Sequence, residues 1–454
     1  MSTLITKGAL LISAIIATFS ANAQQSVLDG YVQEAFQSNK GLKDQYIQLD
    51  KSLYALKEAK TLFSPDVSLL SSYVKSGGGR TIDLPLGDMM NPVYSTLNQL
   101  TNSHNFSTLS NEKFQLNPDN FLDTKLRTSM PLINAEIYYN QQIKQEQLSQ
   151  QQAAVNVFKR QLVQDVKAAY FQYYQACQAV AIYHSALSLI NENIRINESL
   201  VRNGVRNNTA LYRSRTEKEK TEASINEATN TRENAKAYFN FLLNKNLQDS
   251  IQLDSNLLEV PAAQVYSADI NGREELQQYK HAVSALQLNT KLQRSYLVPK
   301  LNTFLDLGTQ GAPERFDNTT RYYFFGVNLE WNIFNFHKSR YRIKQAETSM
   351  QSVSMMASQT EDQLRLQLQQ ARNTYGTAIR NYSSAKSQLD FAERYYRDQL
   401  KIYKEGQLLY LELLDAQNQL TQARLQTSVT QAAVQTAFAG VERAQASYPI
   451  NNNK

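Results

Sequence analysis

The chain holds one cysteine, Cys177, among its 454 residues, which excludes an intramolecular disulfide and any thiolate zinc cluster. Four histidines, His104, His184, His281 and His337, are scattered and leave little material for metal or acid–base chemistry. Only 15 glycines and 9 prolines punctuate it, well under average usage, so long uninterrupted elements are expected rather than many short ones joined by turns. Past the first residues no stretch supplies the roughly 18 consecutive apolar residues of a spanning helix, and the mean hydropathy is −0.49. The charge imbalance is small, 47 Lys and Arg against 41 Asp and Glu. Those charges spread over solvent-facing helix positions, which gives no support to nucleic-acid binding. No Gly-rich phosphate loop, His/Cys cluster or Ser/His pairing stands out, so neither an enzyme nor a cofactor is expected.

What is present begins with an export signal. Lys7 supplies a positive start, Ala9 to Ala17 is a short apolar run, and Ala21-Asn22-Ala23 has the small-x-small form of a cleavage site. Residues 1–23 are therefore expected to be removed, and Cys177 lies too far downstream to carry an N-terminal lipid. An exported chain without an apolar spanning helix floats free, sits on a surface, or crosses a membrane as a barrel.

A heptad seam follows. Leu162, Val166, Ala169, Tyr173, Ala176, Val180, Tyr183, Leu187, Ile190 and Ile194 step by four and three without a break. The same steps recur 202 residues on, at Leu364, Leu368, Ala371, Tyr375, Ala378, Tyr382, Ala385, Leu389, Ala392 and Tyr396, with five of the ten residues identical. That is an internal repeat. Each seam ends at a glycine, Gly204 or Gly406, again 202 apart, beyond which a second helical pattern begins. A glycine between two helical patterns reads as a left-handed helix end that reverses the chain. The first repeat then covers 24–246, with a helical hairpin at about 137–245. The second covers 269–454, with a hairpin at about 337–447. A connecting segment, 247–268, joins them.

Ahead of each hairpin stand two short segments of strand character, at about 66–75 and 121–131 in the first repeat and about 300–308 and 321–333 in the second. In the last of these Tyr323, Phe325, Val327, Leu329 and Trp331 share one face, and Gly326, Asn328 and Glu330 share the other. The alternation suits a strand with lipid on one side and water on the other. It also suits a soluble two-stranded cap on a coiled coil, so periodicity alone leaves both open. The loop between the first pair, about 76–120, is long and polar with Gly77-Gly78-Gly79. Its counterpart, about 309–320, is short.

Two repeats, paired strands, long helices, the glycine tips and the string running from Tyr403 through Gly406 to Glu412-Leu413-Leu414-Asp415-Ala416 together resemble the TolC family of outer-membrane efflux channels. The resemblance implies a mainly α protein with a transmembrane β-barrel. In such a homotrimer each copy gives four strands to one twelve-stranded barrel, and the helices continue it as a periplasmic α-barrel. It implies a passive duct in the outer membrane of a Gram-negative-type cell, docked on a periplasmic adaptor protein and an inner-membrane pump.

Carried over by position, Glu412 and Asp415 match the acidic residues of the periplasmic constriction. Three apart, they share a helical face, so a trimer would stack two rings of carboxylates that attract cations. A solvated acidic helix face is the other reading. Tyr403 matches a tyrosine that helps hold the helical tips shut, and Gly204 and Gly406 match the backbone that an adaptor approaches. The tips also depart from the family. The positions of its latch arginine and aspartate are taken by Leu408 and Ala210, and Arg213 stands opposite Asp415. The rival to a channel is an exported structural coiled coil of the periplasm or cell surface, which needs neither the alternating aromatic strands nor the acidic tip.

Overall fold

A computed structural model describes residues 26–117, 119–254, 270–315 and 317–450. The expected signal peptide at 1–23 and most of the connecting segment, 255–268, lie outside the described residues. The chain divides into a helical unit (Met1–Tyr54, Gln145–Ala285 and Ser349–Lys454) and a β unit (Ala55–Lys144 and Leu286–Thr348).

The β unit is built on four antiparallel strands, β1 (Asp66–Val74), β4 (Phe121–Ile133), β5 (Lys300–Gly311) and β6 (Arg321–Glu330), in the order β1-β4-β5-β6. The two strand pairs of the repeats thus join through β4 and β5. Register places Leu69, Leu126, Leu307 and Tyr323 in one row across all four strands. All four are exposed, at 72%, 43%, 51% and 74%. Val67, Leu305 and Phe325 form the next row of the same face. The opposite face is polar where it matters. There Arg127 makes a two-pronged ion pair with Asp306, at 2.6 and 2.7 Å, and the Tyr322 hydroxyl donates to Asp123 at 2.6 Å. Phe304 and Phe324 also lie on this face. Phe304 fits because Gly326 opposite it leaves room that a Cβ would fill at 2.5 Å. The pairing shifts register at Pro131, which has no N–H to give the ladder.

Between β1 and β4 the long loop is itself folded. It holds a two-stranded ribbon, β2 (Thr81–Leu84) and β3 (Glu112–Gln115), around a helix, α3 (Leu86–Thr101). Asparagines pin it: Asn91 and Asn98 exchange side-chain bonds with the backbone of Leu109 and Phe106.

Most of the helical residues belong to the helical unit: α1 (Val27–Ser38) and α2 (Lys40–Thr61) precede two hairpins. The first is α4 (Ala135–Arg202) and α5 (Asn208–Leu242); after α6 (Glu274–Arg294), the second is α7 (Lys338–Lys404) and α8 (Tyr410–Gln445). α4 has 68 residues, a length of roughly 100 Å. The heptad positions are its buried stripe, Leu162, Val166, Ala169, Ala176, Val180 and Ile190 among them, and α7 buries Leu364, Leu368, Tyr375, Ala378, Ala385, Ala392 and Tyr396 in the same way. The α1–α2 break is set by Asn39, which leaves helical geometry, caps Leu42 N–H at 3.0 Å and donates to the carbonyl of Leu242.

Charged residues lock the helices midway along. Arg160 of α4 grips Glu274 at 2.7 Å, Lys167 meets Glu442 at 2.7 Å, and Glu275 lies between Arg273 and Arg443 at 2.8 and 2.6 Å. Burial pushes the Glu275 carboxyl up, but the two guanidinium groups win and hold it at about 2.

Candidate functional site

The hairpin tips are built alike. In the first, Gly204 adopts φ 71°, its N–H donates to Val201 O at 3.0 Å, and Val205 N–H reaches back to Leu200 O at 2.9 Å. In the second, Gly406 adopts φ 80°, with Gly406 N–H on Tyr403 O at 3.0 Å and Gln407 N–H on Ile402 O at 3.3 Å. Both are Schellman closures, which satisfy the last helical carbonyls and require the left-handed conformation at the glycine. A Cβ at either glycine would meet nothing within 4 Å, so backbone conformation, not crowding, demands glycine there.

Apolar and amide packing joins the two tips. Ala210, Ala392, Tyr396, Tyr403, Tyr410, Leu413, Ala416 and Leu420 form one buried cluster. Below it the Asn193 amide donates to Gln417 Oε1 at 2.6 Å, both buried. Tyr403 is fully buried, and its hydroxyl donates to Oδ1 of the buried Asn197. Burial pushes this phenol up, against the pull of Arg206, so it remains a protonated donor at neutral pH.

Arg206, two residues past Gly204, crosses from one tip to the other. Its guanidinium lies 5.3 Å from the centre of the Tyr403 ring and donates to the carbonyls of Gly406, at 3.3 Å, and of Leu408. Arg206 does not stand out by motif, although the sequence carries a signal for it. The family spacing that finds leucine at Leu408 finds arginine when applied 202 residues earlier, in the first copy. Likewise Glu412 stands 202 residues after Ala210. Arg206 bonds backbone carbonyls of the second tip and makes no bond to Glu412.

Glu412 and Asp415 are both exposed, three residues apart at the start of α8. Neither carboxylate is idle within the chain. Glu412 Oε2 accepts the Leu409 N–H at 3.2 Å, closing the free amide that starts the helix, and Asp415 Oδ2 accepts the Gln419 amide at 2.7 Å. Of the strand residues read as lipid-facing, Tyr323, Phe325, Val327 and Leu329 lie on the apolar face of β6 and are exposed. Trp331 falls just past the end of β6, where its indole N–H donates to Leu297 O at 3.0 Å.

Residues 265–446 match the family model of the outer membrane efflux protein. The matched segment is 182 of the 454 residues. Its bounds take in β5, β6 and the hairpin that carries Tyr403, Gly406, Glu412 and Asp415. No curated protein matches the chain in sequence. Among solved structures it resembles the channel CusC at a TM-score of 0.75 and 17% identity, covering 92% of this chain and 91% of that one. It also resembles the Campylobacter jejuni CmeC outer membrane channel, at a TM-score of 0.71 and 14% identity over 92% of this chain and 85% of that one. The Neisseria gonorrhoeae MtrE outer membrane channel, in its open state, matches at a TM-score of 0.70 and 15% identity over 92% and 88%. At these identities what is shared is the fold, and it is shared along nearly the whole chain.

Proposed function

We propose that the protein is the outer-membrane channel of a tripartite efflux or secretion system, a homotrimer that gives its cargo a passive exit across the periplasm and outer membrane. The observation that carries this is the four-stranded sheet in a chain whose residues 265–446 match the outer membrane efflux protein family model. Its outer strands β1 and β6 have no further partner among the described residues, and one of its faces is apolar and exposed. A membrane-spanning sheet cannot leave such edges open, because each unpaired backbone group in hydrocarbon costs several kcal/mol. Three copies placed edge to edge would close twelve strands, with the Leu69–Tyr323 row against lipid and the Arg127–Asp306 face inward.

In this reading the hairpin tips form the periplasmic gate. Tyr403 and Arg206 hold the two hairpins of one protomer together in the closed state. Glu412 and Asp415 are the pore constriction, a doubled acidic ring that draws cations to the entrance. The glycine turns at Gly204 and Gly406, each with open space where a Cβ would stand, are where an adaptor protein of an inner-membrane pump would approach the backbone. Cargo meets no chemistry on the way. The test is the single-channel conductance and cation/anion selectivity of the purified mature protein in a planar bilayer. A small, cation-selective conductance from a detergent-stable trimer is expected. Protein that stays soluble without detergent and never inserts would overturn the channel and leave an exported coiled coil.

A further inference from the structure

The helices that follow the two strand pairs start differently. α4 begins Ala135-Glu136 and has one cation, Lys144, in its first ten residues. α7, in the equivalent place, has Lys338, Arg340, Arg342 and Lys344 before its first acid, Glu347. Cations at a helix N-terminus oppose the helix dipole, and four of them also repel one another. At about 100° per residue Lys338 and Lys344 flank Tyr341 and Arg340 and Arg342 lie to either side, all five exposed, while Ser339 and Ala346 are buried on the far side. Lys338, Arg340 and Arg342 make no ion pair among the described residues.

The surroundings are apolar. Ile333, Phe334, Phe336 and Trp331 are exposed around the corner that leads into α7, with the Phe334 and Phe336 rings 4.7 Å apart. Phe336 and His337 both adopt positive φ, 45° and 65°, a conformation that side chains of this size resist. Beside this corner lies a groove of about 720 Å³ lined by Phe63, Leu132, Ile133, Tyr138 and Val298, with Lys291 and Arg294 at one side. Glu347 ties groove to helix start, accepting from Arg294 at 2.8 Å and from Lys344 at 2.9 Å.

We propose that this surface holds an anionic phospholipid of the periplasmic leaflet. An acyl chain lies in the groove, and the phosphate sits among the cations of the α7 start and Lys291. The proposal rests on the outer-membrane reading, in which this end of the sheet, where strands give way to helices, is level with that leaflet. Charge complementarity selects the ligand: an apolar bed with Lys291 at its side, and Lys338, Arg340 and Arg342 without ion pairs at the helix start that Glu347 ties to it, fits an acyl phosphodiester and disfavours a zwitterionic headgroup, whose own ammonium cancels the attraction. The anion would also remove the dipole and self-repulsion penalties that α7 otherwise carries.

Trp331, the chain's one tryptophan, stands seven residues before Lys338 and reports on this site. Full-length protein in vesicles is compared for fluorescence quenching by brominated phosphatidylglycerol and by brominated phosphatidylcholine, at 0.1 M and 1 M salt. At a rough fivefold per cation near an anionic headgroup, a preference for phosphatidylglycerol on the order of 100-fold is expected at low salt. It should collapse at high salt and in the Lys338→Gln/Arg340→Gln/Arg342→Gln variant. Equal quenching by the two lipids at low salt, or a preference indifferent to both salt and the substitutions, would overturn the proposal. If the triple variant fails to assemble, the salt dependence of the unaltered protein decides alone. Quenching by neither lipid would instead remove Trp331 from the membrane and with it the outer-membrane reading.

Discussion

Arg206→Ala is the sharpest perturbation of the closed tip. Its guanidinium donates to Leu408 O and, at 3.3 Å, to Gly406 O, and lies over the Tyr403 ring. A hydrogen bond from a charged donor is worth about 1.5–3 kcal/mol net, and a cation–π contact about 0.5–1 kcal/mol. The half-buried setting and the length of the second bond put the total near ~3 kcal/mol per protomer. At 1.4 kcal/mol for each factor of ten, that shifts the balance between joined and separated tips by on the order of 100-fold. The net values already count the water that the arginine and both carbonyls gain when the tips separate. The assay is single-channel recording of trimers, where Arg206→Ala should raise conductance or open time. Arg206→Lys should fall between, since an ammonium keeps charge but cannot fork onto two carbonyls and stack at once. If Arg206→Ala trimers, folded and inserted, conduct as the unaltered protein does, Arg206 does not hold the tip and the gate reading of this contact is wrong.

The acidic pair calls for a particular choice of substitution. Glu412→Gln with Asp415→Asn should lower cation selectivity and weaken cation block with unchanged thermal stability, whereas Glu412→Ala also loses the bond to Leu409 N–H and about 1 kcal/mol of helix-start stability. Selectivity and block unaltered in the double amide variant would return both residues to an ordinary solvated helix face. Glu275 makes a pH prediction. Held at about 2 in the fold against an ordinary 4.5, it contributes about 3 kcal/mol at neutral pH, lost as pH falls from about 4.5 through 2. Denaturation of unaltered protein and of Glu275→Gln at pH 6, 4 and 2.5 should therefore converge in acid; parallel curves would refute the assignment.

Much of the fold was legible because it repeats. Heptads at an offset of 202 mark the buried stripes of α4 and α7, and period-two alternation marks the exposed apolar face of β6. The folded loop with α3 was read only as long and polar, since its order comes from asparagine side chains bonding backbone 8 and 18 residues away, which no periodicity records. The α1–α2 pair was missed for a related reason: Asn39 breaks it by bonding Leu242, 203 residues distant. Trp331 fits the alternation of β6 by sequence, yet pairing stops at Glu330 and its indole turns to Leu297. At the tip, single residues were legible but their combination was not. Tyr403 stands out by motif, while Arg206 becomes visible only when the motif's spacing is laid on the other repeat.

That exchange between repeats has a physical logic. Two identical tips would meet one another with like charges at like places, and nothing would favour the first hairpin packing on the second over packing on another copy of itself. Here equivalent positions carry opposite or complementary groups: Arg206 against Leu408, Ala210 against Glu412, Arg213 against Asp415. The first tip is thereby cationic and the second acidic at matched sites. Arg206 uses the difference directly by reaching the carbonyls of Gly406 and Leu408 in the turn between α7 and α8. An arginine at 408 would place a cation four residues from Glu412 and offset the acidic face. Keeping the arginine on the first hairpin leaves the brace and the carboxylates on separate elements, so the contact that joins the hairpins can be broken without discharging the acidic pair.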